Sequence, residues 1–119
     1  MIEEIESHFQ KEYPKEGCGL LIEKHEKTKW VPCTNVAERG EDFIIDPQEY
    51  INLVKRYKIV GIVHSHPDLP CEASENDKRY CDFLGIPYYI FSYPSMELEI
   101  LEPKERVVSI IGRKYENFA

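Results

Sequence analysis

Apolar residues recur along this chain in short groups, and their spacing changes from one group to the next. In MIEEIESHFQKEY, Ile2, Ile5 and Phe9 stand at helical spacing among polar residues, and Pro14 stops the helix. GCGLLIE (17–23) reads as a strand, Lys24 to Lys29 as a charged turn, and KWVPC (29–33) as a second short strand. Residues 34–42 read as a loop, and DFIID (42–46) as a short strand ended by Asp46-Pro47. That pair suits an N-cap and a first turn. The helix it opens runs to about Tyr57, with Tyr50, Ile51, Val54 and Tyr57 expected on one face. KIVGIVHSH follows, and its run from Ile59 to Val63 suits a buried central strand. Ser74 opens a helix that ends at Gly85. IPYYIFSY and MELEILE form an antiparallel pair about Tyr93-Pro94-Ser95, and RVVSII is a last strand.

Helices and strands in this order predict an α/β or α+β sandwich, a mixed sheet with helices packed on it. A length of 119 residues fits one domain. The net charge is −7 with no Lys/Arg run, which argues against nucleic acid as a partner. No apolar run reaches the roughly 18 residues of a membrane span, so no membrane partner is expected. The N-terminus has neither the basic nor the apolar segment of a signal peptide. Cys18, Cys33, Cys71 and Cys81 are scattered without a CxxC pair. They read as reduced thiols in a cytoplasmic setting.

The chemistry concentrates in HSHPDLPCEASEND (64–77). Residues two apart in a strand point to one face, so His64 and His66 share a side, with Cα atoms ~6.5 Å apart, and Ser65 faces the other. They sit at the C-terminal end of the most apolar strand, where open α/β sheets place ligands. Pro67 ends the strand, and Ser74 and Asp77 share a face at the start of the next helix. Two histidines and a carboxylate with an open fourth position form a catalytic type of zinc site. Such a site also needs a general base. Each part has a plainer explanation: Ser-x-x-Asp is a capping pattern, and the two histidines suit a solvated strand end or a pH switch.

Taken together, the residues resemble the JAMM/MPN+ metalloprotease signature. It reads here as His64-Ser65-His66-Pro67, seven intervening residues after His66, then Ser74-Glu75-Asn76-Asp77, with Glu16 upstream in EGCG. The resemblance implies a cytidine-deaminase-like α/β fold over 1–110. It implies that His64, His66 and Asp77 bind Zn2+ and that Glu16 takes a proton from the zinc-bound water and returns it to the leaving amine. Ser74 would donate to the developing oxyanion. Glu16 can serve only if the first strand lies beside the histidine strand. Cys71 is a minor candidate for a fourth ligand.

Within that family, PCTN (32–35), SENDKR (74–79) and IPYYIFS (86–92) are similar to the N-terminal JAMM half of phage tail-assembly proteins of the K type. In that branch an NlpC-type cysteine peptidase domain follows, and residues 111–119 resemble the linker to it. The implied activity is hydrolysis of an amide bond in a protein or peptide, with phage tail proteins as partners and the bacterial host cytoplasm as location. Two other readings stand beside it. One is a non-catalytic structural or interaction domain of a tail-assembly protein. The other is a bacterial enzyme trimming a ubiquitin-like sulfur-carrier protein.

Overall fold

The computed structural model describes residues 1–38 and 43–103, and the backbone of 108–111. Helix α1 (Ile2–Glu12) is followed by strands β1 (Cys18–Lys24) and β2 (Lys27–Cys33). Helix α2 (Pro47–Arg56), strand β3 (Lys58–Pro67) and helix α3 (Glu75–Leu84) come next. Strands β4 (Tyr88–Tyr93), β5 (Leu98–Leu101) and β6 (Val108–Ile111) end the order. The strands form one mixed sheet in the order β2-β1-β3-β4-β5-β6. Only β3 and β4 run parallel, joined through α3, which makes a βαβ unit; the other neighbours are antiparallel. This is the α/β arrangement that the sequence pattern predicts.

Alternation along the strands sorts side chains into two cores. On one face, Ile5 and Phe9 of α1, four residues apart, pack with Leu21, Val63, Phe91 and Leu98. On the other, Leu20, Ile62, Tyr88 and Ile90 pack with Cys81 of α3 and with Tyr50, Leu53 and Tyr57 at α2. Strand β3 is buried from Gly61 through Ser65 because strands flank it on both sides and helices cover both faces.

Several sequence expectations shift. The charged stretch 24–29 is mostly strand: Lys24 pairs with Lys27, and the turn is His25-Glu26 alone, with φ of 52° and 65°. Two positive φ values give the primed turn whose twist matches the strands it joins. The strand expected over 42–46 shrinks to a bridge between Asn35 and Ile45, and Asp42 lies outside the described residues. On α2, Ile51 and Val54 are each 46% exposed, while Leu53 packs inward. The apolar residues of α2 span a wide arc, and contact with the sheet selects the Leu53 edge of it. Beyond Ile111, the tail expected over 111–119 lies outside the described residues. No described helix is long and apolar enough to cross a membrane.

Glycine matters most at Gly19. A Cβ there would lie 2.3 Å from the Trp30 ring and 2.5 Å from the Val31 carbonyl oxygen. Backbone cannot yield as a flexible side chain can, so Gly19→Ala is expected to cost about 1–3 kcal/mol. Urea unfolding of the variant checks this, and an unchanged midpoint would show that β1 and β2 can separate at little cost.

Candidate metal centre

The register of the sheet assembles the site. Cys18 at the start of β1 pairs with His64 near the end of β3, so Glu16, just before β1, arrives beside the histidines. The neighbouring Gly17 is held at both its polar backbone groups by Ser65. Its N–H donates to Ser65 Oγ at 2.8 Å, and its carbonyl accepts from the Ser65 N–H at 3.0 Å. The serine between the two histidines thus fixes the chain on the face opposite their rings.

His64 is 1% exposed, stacked on Phe43 (centroids 4.2 Å apart, planes 21° apart) and edge-on to Tyr88. Its Nδ1 lies 3.1 Å from Glu16 Oε1. His66 Nδ1 lies 2.9 Å from the Pro70 carbonyl oxygen. Both partners can only accept, so each Nδ1 carries the proton and a neutral ring leaves Nε2 bare. The two Nε2 atoms face Asp77, His64 Nε2 at 3.0 Å from Oδ1 and His66 Nε2 at 3.4 Å from Oδ2. Despite that short distance, His64 Nε2 is a buried atom without a hydrogen bond. Asp77 Oδ1 lies off the line that an N–H bond requires.

A buried nitrogen beside a carboxylate, without a hydrogen bond, is suited to a shared cation. Ligands ~2.0–2.1 Å from a tetrahedral zinc lie ~3.3–3.4 Å from one another, close to both separations here. Glu16, His64 and His66 also offer one donor atom each within 4.8 Å of one another. The donor set therefore fits zinc, with Nδ1 partners that orient both rings as metal-bound histidines require. With no cation at the site, the His64 ring itself takes up a proton. Burial disfavours a charged His64, but Asp77 and Glu16 outweigh it and push its pKa up to about 9. Burial likewise works against the Asp77 carboxylate, and the two histidines outweigh it, holding its pKa well below the usual range.

Asp77 and Ser74 do two jobs. Ser74 Oγ accepts the Asp77 N–H at 3.1 Å, and Asp77 Oδ2 accepts the Ser74 N–H at 2.9 Å, a reciprocal capping box at the start of α3. Among the described residues Ser74 meets the cluster only through Asp77, and its hydroxyl proton remains free to donate outward. The compact donor group is Glu16, His64 and His66; Asp77 and Cys71 both lie outside it, and of these two Asp77 alone faces the histidine nitrogens. Cys71 is buried in the wall of a depression of about 470 Å³ that Pro70, Glu72, Glu97 and Glu99 also line, and none of Glu16, His64, His66 and Asp77 lines it. All four cysteines are buried and none forms a disulfide.

Sequence reasoning missed four contributors. Ser65 carries a signal only as the residue facing away from the histidines. Asn35 appears there only as part of PCTN. Phe43 carries no signal at all. Glu99 alternates as if solvent-facing, yet it is buried and accepts the Ala73 N–H just before Ser74, and burial raises its pKa.

The fold and the donor cluster describe an α/β domain that presents two histidines and two carboxylates at the end of its central strand. The chain belongs to the prokaryotic homologs of the JAB domain, a family whose model matches residues 1–113. It is 38% identical over 104 residues to the tail tip assembly protein K of Escherichia phage N15. That match takes in 87% of this chain and 43% of the phage protein, so the chain spans less than half of that relative's length. It is 26% identical over 117 residues to a Thermus thermophilus protein described as a probable TtuB-protein conjugate cleaving protease, with 93% of this chain and 78% of that protein covered. A protein of Desulfitobacterium hafniense solved in solution superposes with a TM-score of 0.70 at 26% identity, covering 93% of this chain and 85% of its own. One from Salinibacter ruber gives 0.59 at 24% identity over 97% and 88%, a likeness of fold alone.

Two outcomes follow for the site. Ser65→Ala strands the buried Gly17 N–H and is expected to cost about 1–3 kcal/mol in urea unfolding. The second concerns pH in the metal-free protein. The raised His64 contributes stability below its unfolded pKa of about 6.5, and that contribution is lost as pH rises through about 9. The lowered Asp77 contributes above its unfolded pKa of about 3.9 and loses its contribution as pH falls. Chelator-treated protein should therefore lose stability from about pH 6.5 towards 9, and a profile that rises over that range would contradict the assignment.

Proposed function

We propose that this domain is a zinc-dependent peptidase or isopeptidase that hydrolyses an amide bond in a protein or peptide. The observation that supports it most is the buried His64 ring. One of its nitrogens faces Asp77 without a hydrogen bond, and the other is held by Glu16. In this reading His64, His66 and Asp77 hold the metal. Zinc bound there supplies Lewis acidity, acidifying water and polarising a carbonyl. Glu16 anchors one carboxylate oxygen on His64, while the other has no hydrogen bond among the described residues. That free oxygen takes a proton from the attacking water and hands it to the leaving nitrogen, so the products are a carboxylic acid and an amine. The Ser74 hydroxyl donates to the oxygen of the scissile carbonyl as negative charge builds on it.

The Thermus thermophilus relative supports the protease reading, and the phage relative supports a role in tail assembly, which we place in the cytoplasm of a bacterial host. The same phage likeness favours a second reading, a domain that binds tail proteins without cleaving them. In that reading the residues after Ile111 would lead to an NlpC-type cysteine peptidase domain.

Metal analysis and turnover separate the readings. The wild-type protein is expected to carry about one zinc. Glu16→Gln is expected to keep the zinc and lose turnover of a peptide or isopeptide substrate by about 10²-fold or more. Asp77→Ala is expected to lose the zinc itself. A wild-type protein that takes up no zinc overturns the metal site, and full turnover in Glu16→Gln removes Glu16 from the chemistry. Stoichiometric zinc without hydrolysis of any substrate tried would favour the binding domain.

A further inference from the structure

We infer that Asn35 is the positioning residue for Glu16, setting where its carboxylate stands relative to His64. The inference rests on the proposed role of Glu16 in proton transfer. Glu16 precedes β1, whose ladder begins at Cys18, so no strand hydrogen bond fixes its own carbonyl. Asn35 supplies one: its Nδ2 donates to the Glu16 carbonyl oxygen at 2.8 Å, in a buried contact. Ser65 fixes Gly17 on the other side. The Glu16 backbone is thus held from two directions, and its side chain needs only to extend to His64 Nδ1.

The same amide also binds two backbone N–H groups further along the chain. Asn35 Oδ1 accepts from the Ala37 N–H at 2.9 Å and from the Ile44 N–H at 3.1 Å. Ile44 directly follows Phe43, whose ring stacks on His64. The partners fix the orientation of the amide, since a carbonyl needs the N–H2 end and two N–H groups need the oxygen end. Asn35 is 4% exposed, so water cannot readily replace these bonds. Aspartate has the same shape but sets an acceptor against the Glu16 carbonyl, and glutamine is one methylene too long. An asparagine side chain thus joins the Glu16 carbonyl to the backbone next to Phe43 through one planar group.

The test compares Asn35→Asp with Glu16→Gln and with Ile5→Val, a core change on the opposite face of the sheet that lowers stability without touching the loop. Asn35→Asp is expected to keep its zinc and its KM within about twofold, and to lower kcat by about 10- to 100-fold. In metal-free protein, long-range proton–nitrogen spectra should show the His64 Nδ1–H resonance displaced in Asn35→Asp and unmoved in Ile5→Val. An unmoved resonance and wild-type kcat in Asn35→Asp overturn the inference. If Glu16→Gln is itself fully active, the proposed role of Glu16 fails, and the resonance still tests the positioning. One measurement needs no variant: an Asn35 side-chain N–H proton in the wild-type protein should exchange as slowly as the core amides. Fast exchange overturns the hydrogen bond on which the inference depends.

Discussion

A histidine ring buried at the end of the central strand has to satisfy two nitrogens in a place water does not reach. His64 is that ring, and much of the fold serves it. Antiparallel pairing with β1 delivers Glu16 to Nδ1, and the crossover through α3 delivers Asp77 opposite Nε2. Phe43 and Tyr88 exclude solvent from the ring faces. Moving β1 along β3 by one residue would exchange the faces of every side chain on it and carry Glu16 away from the cluster.

The first turn of α3 serves stability and chemistry with the same atoms. Asp77 Oδ2 accepts the N-cap N–H and also lies 3.4 Å from His66 Nε2, while Oδ1 faces His64. The capping box orients the carboxylate without occupying both oxygens, which is how a common helix start can also present a ligand. Glu99, reaching from β5 to the Ala73 N–H, sets where that helix begins. The position of Asp77 therefore depends on strands on both sides of the loop that carries it.

Membership of the JAB family places this arrangement among related domains named for different roles, tail tip assembly in one relative and probable conjugate cleavage in another. A shared fold does not choose between them. What distinguishes the readings is the environment of a few atoms, above all whether the second oxygen of Glu16 meets a water that attacks a bound substrate.

The sequence by itself determined the elements with a strong local cause. Asp46-Pro47 and Ser74 start helices through short-range capping, Gly85 ends one at φ 68°, and the Ile59–Val63 run makes a buried strand. Strand alternation put His64 and His66 on one side, and the motif spacing brought Ser74 and Asp77 into view. Tertiary structure decided what depends on partners distant along the chain. It selected the Leu53 edge of α2, shortened the 42–46 strand to a bridge, turned Glu99 inward and set Phe43 on His64. It also decided that Ser65 and Asn35 hold the backbone around Glu16. The division has one physical reason. Caps, turns and periodicity are fixed by neighbours a few residues away, whereas the hydrogen-bond partner of a buried polar group is found only when the sheet brings it there.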